Sequence, residues 1–269
     1  MTAPSSDDFR ALARSSPWRW STLRFVGRRP GQTWQVDDLR AWVRRPDRLR
    51  VETLEGELIQ VVRSDRQHVG LMTTDGGRTV ELPRPGDASA PTPEFRADGL
   101  VLRRPSSWEM SVDDPMYQDY FWVAMLDPLE LADGRDPETL DPAGPARHVD
   151  SVAEVEHEGR SAWEAVVRPT EAYEPRCADG NCALLRSRYV DVREVEGGGI
   201  GEVLSEYPDA FRVRLDVGTG ICVSTRAIGG LTPGAGHSLR IEAVDEPMPD
   251  EFFVQPRRRL FPRGWTPIQ

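Results

Sequence analysis

The 269 residues contain no lysine; all 34 basic residues are arginine. Schiff-base and pyridoxal-phosphate chemistry needs a lysine amine, and so do P-loop and kinase-type phosphate sites. Those classes are excluded. Cysteine is nearly as scarce: Cys177, Cys182 and Cys222 are too few and too far apart for a disulfide framework, so free thiols are expected. Positive charge is also in deficit. Against 44 acids the chain carries a formal charge of −10, which repels a phosphate backbone, and no nucleic-acid partner is expected. No apolar run reaches the roughly 18 residues needed to span a bilayer. The opening Met1-Thr-Ala-Pro-Ser-Ser-Asp-Asp lacks the charged start and apolar stretch of a secretory signal. A cytoplasmic chain without a transmembrane segment is the expectation.

What is present is the composition of a folded globular protein. The chain is 38% apolar and 29% charged, well away from the low-hydrophobicity range of disordered chains. Ser5-Ser-Asp-Asp8 followed by Phe9, Leu12 and Ala13 predicts a capped short helix ending before Pro17. Strand patterns follow over 18–26, 33–44, 48–54, 58–63, 68–73, 78–82 and 99–102, separated by turn-forming Pro, Gly and Asp. Short spacing with tight turns predicts an antiparallel meander. After a Pro/Ala/Asp-rich loop at 83–98, Asp113-Asp114-Pro115 reads as a helix start, and 116–126 reads as a helix apolar nearly all round. Such a helix belongs in an interior.

A second loop at 132–147 leads to further strand patterns over 149–156, 161–168, 183–187, 189–195, 211–217, 221–228 and 239–244. In Phe211-Arg-Val-Arg-Leu-Asp-Val217, four apolar residues alternate with three charged ones. That period of two marks a strand with one buried face and one wet face, the habit of an antiparallel sheet. Residues 1–253 therefore read as one main β-rich domain. Residues 254–269 read as a basic, Pro- and aromatic-containing tail, in which Leu260, Phe261 and Trp265 offer anchors for a protein partner.

Constellations for chemistry do not assemble. Gly197-Gly-Gly-Ile-Gly201 lies between two strand patterns instead of opening a helix, so it reads as a turn. No Gly-x-Ser-x-Gly elbow exists. His148 and Asp150 share a strand face, with Glu154 and His157 following, but nothing completes a metal-ligand set; His68 and His237 stand elsewhere. Cys177 and Cys182 are spaced more widely than redox or zinc pairs, although a reversible disulfide across their turn is geometrically possible. No catalytic residue, metal or cofactor is expected, and the chain reads as a binding protein rather than an enzyme.

One resemblance gives that reading a shape. Leu39-Arg-Ala-Trp-Val-Arg-Arg-Pro-Asp-Arg-Leu-Arg-Val-Glu52 is a strand, an Arg-Pro turn and a returning strand. It is followed in order by Glu158-Gly-Arg160, by Leu215-Asp-Val-Gly-Thr-Gly220 and by Ile241-Glu-Ala-Val-Asp-Glu-Pro-Met-Pro-Asp-Glu-Phe-Phe253. This succession resembles the LolA-like lipoprotein-carrier superfamily over residues 9–253. The resemblance implies a mainly β fold with a few helices: a curved, antiparallel, incomplete β barrel whose concave face is covered by helices. It also implies a lipid or other hydrophobic ligand, held as an acyl chain between sheet and helix. On that template Tyr117, Tyr120, Phe121, Trp122 and Met125 plug the concavity, and Trp34 and Trp42, an even number of residues apart, line the same space. The same residues serve equally as ordinary core, and the fold then suits a regulatory or protein-interaction module.

Overall fold

The computed structural model describes residues 3–28, 38–63, 83–85, 87–105, 113–136, 143–177, 182–199 and 201–255, and the backbone alone of 72–74 and 78–80. Helix α1 (Ser6–Ser15) begins at Ser5, whose hydroxyl accepts the Asp8 N–H at 3.2 Å while the Asp8 carboxylate accepts the Ser5 N–H at 2.8 Å. This reciprocal cap satisfies two amides that the first turn leaves orphaned. Replacing Ser5 with alanine is expected to cost about 1 kcal/mol, read as a lowered midpoint in urea unfolding. Phe9, Leu12 and Ala13, spaced three and four apart, are the buried stripe of α1.

Nine strands form one open antiparallel sheet. In chain order they are β1 (Thr22–Arg28), β2 (Asp38–Arg44), β3 (Arg48–Thr53), β4 (Leu58–Arg63), β9 (Arg147–His157), β10 (Arg160–Pro169), β11 (Ala210–Asp216), β12 (Cys222–Ile228) and β13 (Gly236–Val244). Between β4 and β9 come two small ribbons, β5 (Met72–Thr74) with β6 (Arg78–Val80), and β7 (Glu94–Phe95) with β8 (Val101–Arg103). The order across the sheet is β4-β3-β2-β1-β13-β12-β11-β10-β9, and it does not close into a barrel. Two meanders, one from each half of the chain, are therefore joined where β1 pairs with β13.

Register carries the apolar residues onto a single face. Phe25 pairs with Ala41 on one side and Ile241 on the other, Ala41 pairs with Val51, and Phe211 pairs with Ala227; all are buried. Helices α1 and α2 (Tyr120–Leu126) pack on this face. The opposite face is charged and largely self-neutralised: Arg24 and Arg40 meet Glu242, Arg50 meets Glu52, and Arg212 and Arg214 share Glu164. Across that second face lies a short helical turn, Asp250–Phe253, whose Phe252 ring packs edge-on against Trp42 at 5.3 Å. No helix among the described residues is long and apolar enough to cross a membrane.

The mainly β, antiparallel architecture agrees with the sequence reading, and several elements depart from it. The stretch read as a strand over 189–195 is helix α3 (Arg188–Glu196). Its Val and Tyr content favours a strand, but local anchors decide the outcome: the Asp191 carboxylate accepts from Arg186 Nε and from the Tyr207 hydroxyl, both at 2.7 Å. Residues 183–187 are irregular rather than a strand. Residues 16–18 form a helical turn, so β1 begins four residues later than the pattern suggests. Helix α2 begins at Tyr120, capped by Asp119 accepting the Phe121 N–H at 3.1 Å, because Gln118 adopts a left-handed φ of 67°. Asp113 and Asp114 are held instead by Arg176 and Arg45. The part of the 33–44 pattern before Asp38, the Gly197–Gly201 stretch at residue 200, and the tail beyond Gln255 lie outside the described residues.

Candidate functional site

Most of the expected plug is packed core. Trp122 and Met125 are fully buried, and Trp122 lies 5.2 Å from the Phe25 ring and 5.6 Å, edge-on, from Tyr117, which is itself buried. Tyr120 is half-buried beside Cys177 and Cys182. Trp42 points away from this space altogether. It pairs with Arg24 and Arg50 on the charged face, under Phe252. Trp34 lies outside the described residues. Of the seven residues expected to contact a ligand, Phe121 is the one that the structure places at an open apolar site.

That site is a groove of about 220 Å³ lined chiefly by Phe121, Leu184, Leu204, Phe211, Ala227 and Leu231. Its origin is local. Phe211 and Ala227 are direct cross-strand neighbours, and a large residue beside a small one leaves a depression above the smaller. The β12–β13 turn then folds over it. Gly229 and Gly230 take φ of 73° and 70°, and a Cβ on Gly230 would stand 2.7 Å from the Pro208 nitrogen. Only glycine permits both that handedness and that approach. The turn thereby carries Leu231, 53% exposed, to the mouth of the groove.

The lining arginine and the histidine behind the groove are already engaged. Arg186 is bound by Asp191 at 2.7 Å and by the Glu202 carbonyl at 3.0 Å. Behind Phe121, His237 stands edge-on at 5.2 Å. Its Nε2 donates to the Cys222 carbonyl at 2.7 Å, so Nδ1 accepts from the Thr225 hydroxyl at 2.9 Å. Two of the groove's thirteen lining residues are charged. A wider hollow of about 530 Å³ beside α3 is charged at five of nine positions, among them Arg135, Glu171 and Arg193, and stands more open. An apolar ligand would stay wetter there. No protein-family model, curated protein or solved structure matches this chain.

Beneath the groove wall runs a buried polar layer. Glu130, 3% exposed, accepts from the Tyr173 hydroxyl and, at 2.8 Å, from the Leu184 N–H. Burial pushes its carboxyl up, against the pull of those hydrogen bonds. An acid and a phenol side by side are chemically capable groups, yet both are sealed in the core, and their visible work is to hold Leu184 in place. Among the described residues no three His, Cys, Asp or Glu side chains gather to hold a metal. His148 is exposed, and Asp150 pairs with Arg168. The groove residues Leu184, Leu204, Ala227 and Leu231 had one signal in the sequence: Leu231 is a large apolar residue inside a Gly-Gly-Leu-Thr-Pro-Gly turn, where a polar residue is usual.

Proposed function

We propose that this chain is a non-catalytic binding protein that takes the end of an acyl chain in the groove between Phe121, Phe211 and Leu231. The apolar groove at the sheet–helix boundary carries the reading, since its wall offers apolar contact and its one lining cation, Arg186, is engaged by Asp191. Its volume is below the ~300–1,000 Å³ usual for a whole small-molecule ligand, so it receives part of a chain and leaves the head group in water. An open antiparallel sheet with helices on one face also supports kinship with LolA-like carriers. The difference is that α2 is packed down here and the opening is displaced to its flank.

A chain-length series of straight alkyl carboxylates, titrated calorimetrically, tests this. Each buried methylene contributes about 0.8 kcal/mol, so the dissociation constant falls roughly fourfold per added carbon and levels off once the groove is full. Leu231→Asp, on an exposed turn, is expected to weaken binding about tenfold or more without unfolding the chain. A flat series, or a Leu231→Asp variant that binds as the parent does, contradicts the proposal.

A further inference from the structure

We propose that the hollow beside Trp18 docks an extended, proline-rich segment of another protein that carries arginine. The hollow holds about 460 Å³ between the turn after α1, the β2–β3 turn, Pro85, Asp87 and Asp245, and it shares no lining residue with the acyl groove. Its apolar surface is made of rings, the half-buried Trp18 together with Pro46 and Pro85. Arg104, bound by Asp127 at 2.9 Å, lies 5.4 Å from the Trp18 ring centre and braces the indole. The indole N–H has no hydrogen-bond partner among the described residues. A polyproline II segment makes no internal hydrogen bonds, so its carbonyls need outside donors, and its rings pack on aromatic walls. Trp18 offers both a wall and a donor.

Charge selects what stands between the prolines. The two arginines of the lining are spent. Arg45 lies over the Trp20 ring at 3.4 Å and gives Nε and Nη2 to Asp114, each at 2.7 Å, while Arg19 donates to the Val217 and Gly218 carbonyls, each at 3.0 Å. The two carboxylates have no such partner. Asp245, at a left-handed φ of 57°, accepts the Ser21 and Thr22 N–H groups on Oδ1 at 2.7 and 3.2 Å, and Asp87 accepts the Arg84 N–H on Oδ2 at 2.6 Å. Both are exposed, and neither makes an ion pair among the described residues. Backbone amides thus fix each carboxylate through one oxygen and leave the other for a guanidinium, whose planar fork suits such acceptors.

Fluorescence anisotropy of labelled synthetic peptides, titrated with the full chain, is the test. Pro-Pro-Arg-Pro-Pro-Arg-Pro-Pro is expected to bind about tenfold more tightly than its counterpart with glutamate in place of arginine, because each surface charge pair is worth up to about 1 kcal/mol. Asp87→Asn combined with Asp245→Asn keeps the amide-accepting oxygens, and asparagine tolerates the left-handed φ, so the urea midpoint is expected to hold while the preference for arginine falls below about threefold. Leu231→Asp is expected to leave peptide binding unchanged, which separates this hollow from the acyl groove. Equal affinities for the two peptides, binding of neither, or an arginine preference that survives in the double variant overturns the docking site. A labelled peptide of residues 255–269 is run alongside. If that peptide alone binds, and the double variant weakens it, the hollow belongs to the chain's own tail and docking from another protein is overturned.

Discussion

Replacing Asp127 with alanine is expected to destabilise the protein by about 3–5 kcal/mol. Its carboxylate is completely buried just after α2 and is gripped by two arginines, Arg104 through Nη1 at 2.9 Å and through Nη2, and Arg176 through Nη2. These bonds tie the end of α2 to Arg104, just past β8, and to Arg176, a few residues before the groove wall. Deleting the carboxylate leaves two guanidinium groups in the interior without their shared counter-charge, which is the costly way to break a buried ion pair. The pH dependence follows from the same contacts. Burial works to raise the Asp127 carboxyl, but the charges of Arg104 and Arg176 outweigh it and hold it below the ordinary carboxylate value. The stabilisation is therefore fully present above the unfolded value near 4 and is lost as pH falls through the lower folded value. Urea unfolding of wild type and variant from pH 7 down to pH 2 should show the difference between them narrowing at the acid end. A difference under 1 kcal/mol at pH 7 contradicts this account.

The opposite outcome is expected at Arg147. This residue begins β9, is 2% exposed, and has no hydrogen-bond partner on Nε, Nη1 or Nη2 among the described residues. Its guanidinium lies 5.1 Å from the Phe9 ring centre, and Arg10 and Arg14 add like charge nearby. The carboxylate whose charge favours the cation, Asp133, is already bound by Arg14 at 2.5 and 2.7 Å. Burial pushes the Arg147 group down to about 9, and at neutral pH it remains a buried cation. Methionine fills similar space, keeps contact with Phe9 and carries no charge. Arg147→Met is expected to stabilise the protein by about 1–4 kcal/mol, read as a higher urea midpoint with an unchanged slope. Destabilisation of similar size would show that the guanidinium is compensated in the folded state.

How far the sequence foretold this structure varies from one element to the next. Strand β11 was legible because Phe211, Val213 and Leu215 alternate with Arg212 and Arg214, and only a strand with one wet face places them so. The tight Arg-Pro-Asp and Glu-Gly turns made β2, β3 and β4 legible in the same way. Helix α3 was not, because its apolar residues at 189, 190, 192 and 195 gather in no single stripe and its β-branched content favours the alternative; contacts to Asp191 from Arg186 and Tyr207, on either side of that pattern, decide it. The interior character of α2 was legible from its missing polar stripe. Whether it covers a void or fills one depends on side chains from other strands, above all Phe25, that no local pattern pairs with Trp122. Trp42 shows the limit of period-two arguments: parity relates residues within a strand, but β2 is described only from Asp38, and which face meets the helices is set by the neighbouring strands. The groove arises from one cross-strand pair, Phe211 with Ala227, joined to a glycine turn that brings Leu231 over it. Both ingredients are visible in the sequence, but their meeting is a tertiary fact.

The most direct test of acyl-chain binding is crystallographic: a terminally brominated alkyl carboxylate bound to the full chain and located by its anomalous signal. The account predicts a bromine peak inside the groove, in contact with Phe121, Phe211 and Ala227, with the carboxylate directed past Leu231 to solvent. A peak confined to any other site, or none at saturating ligand, contradicts it.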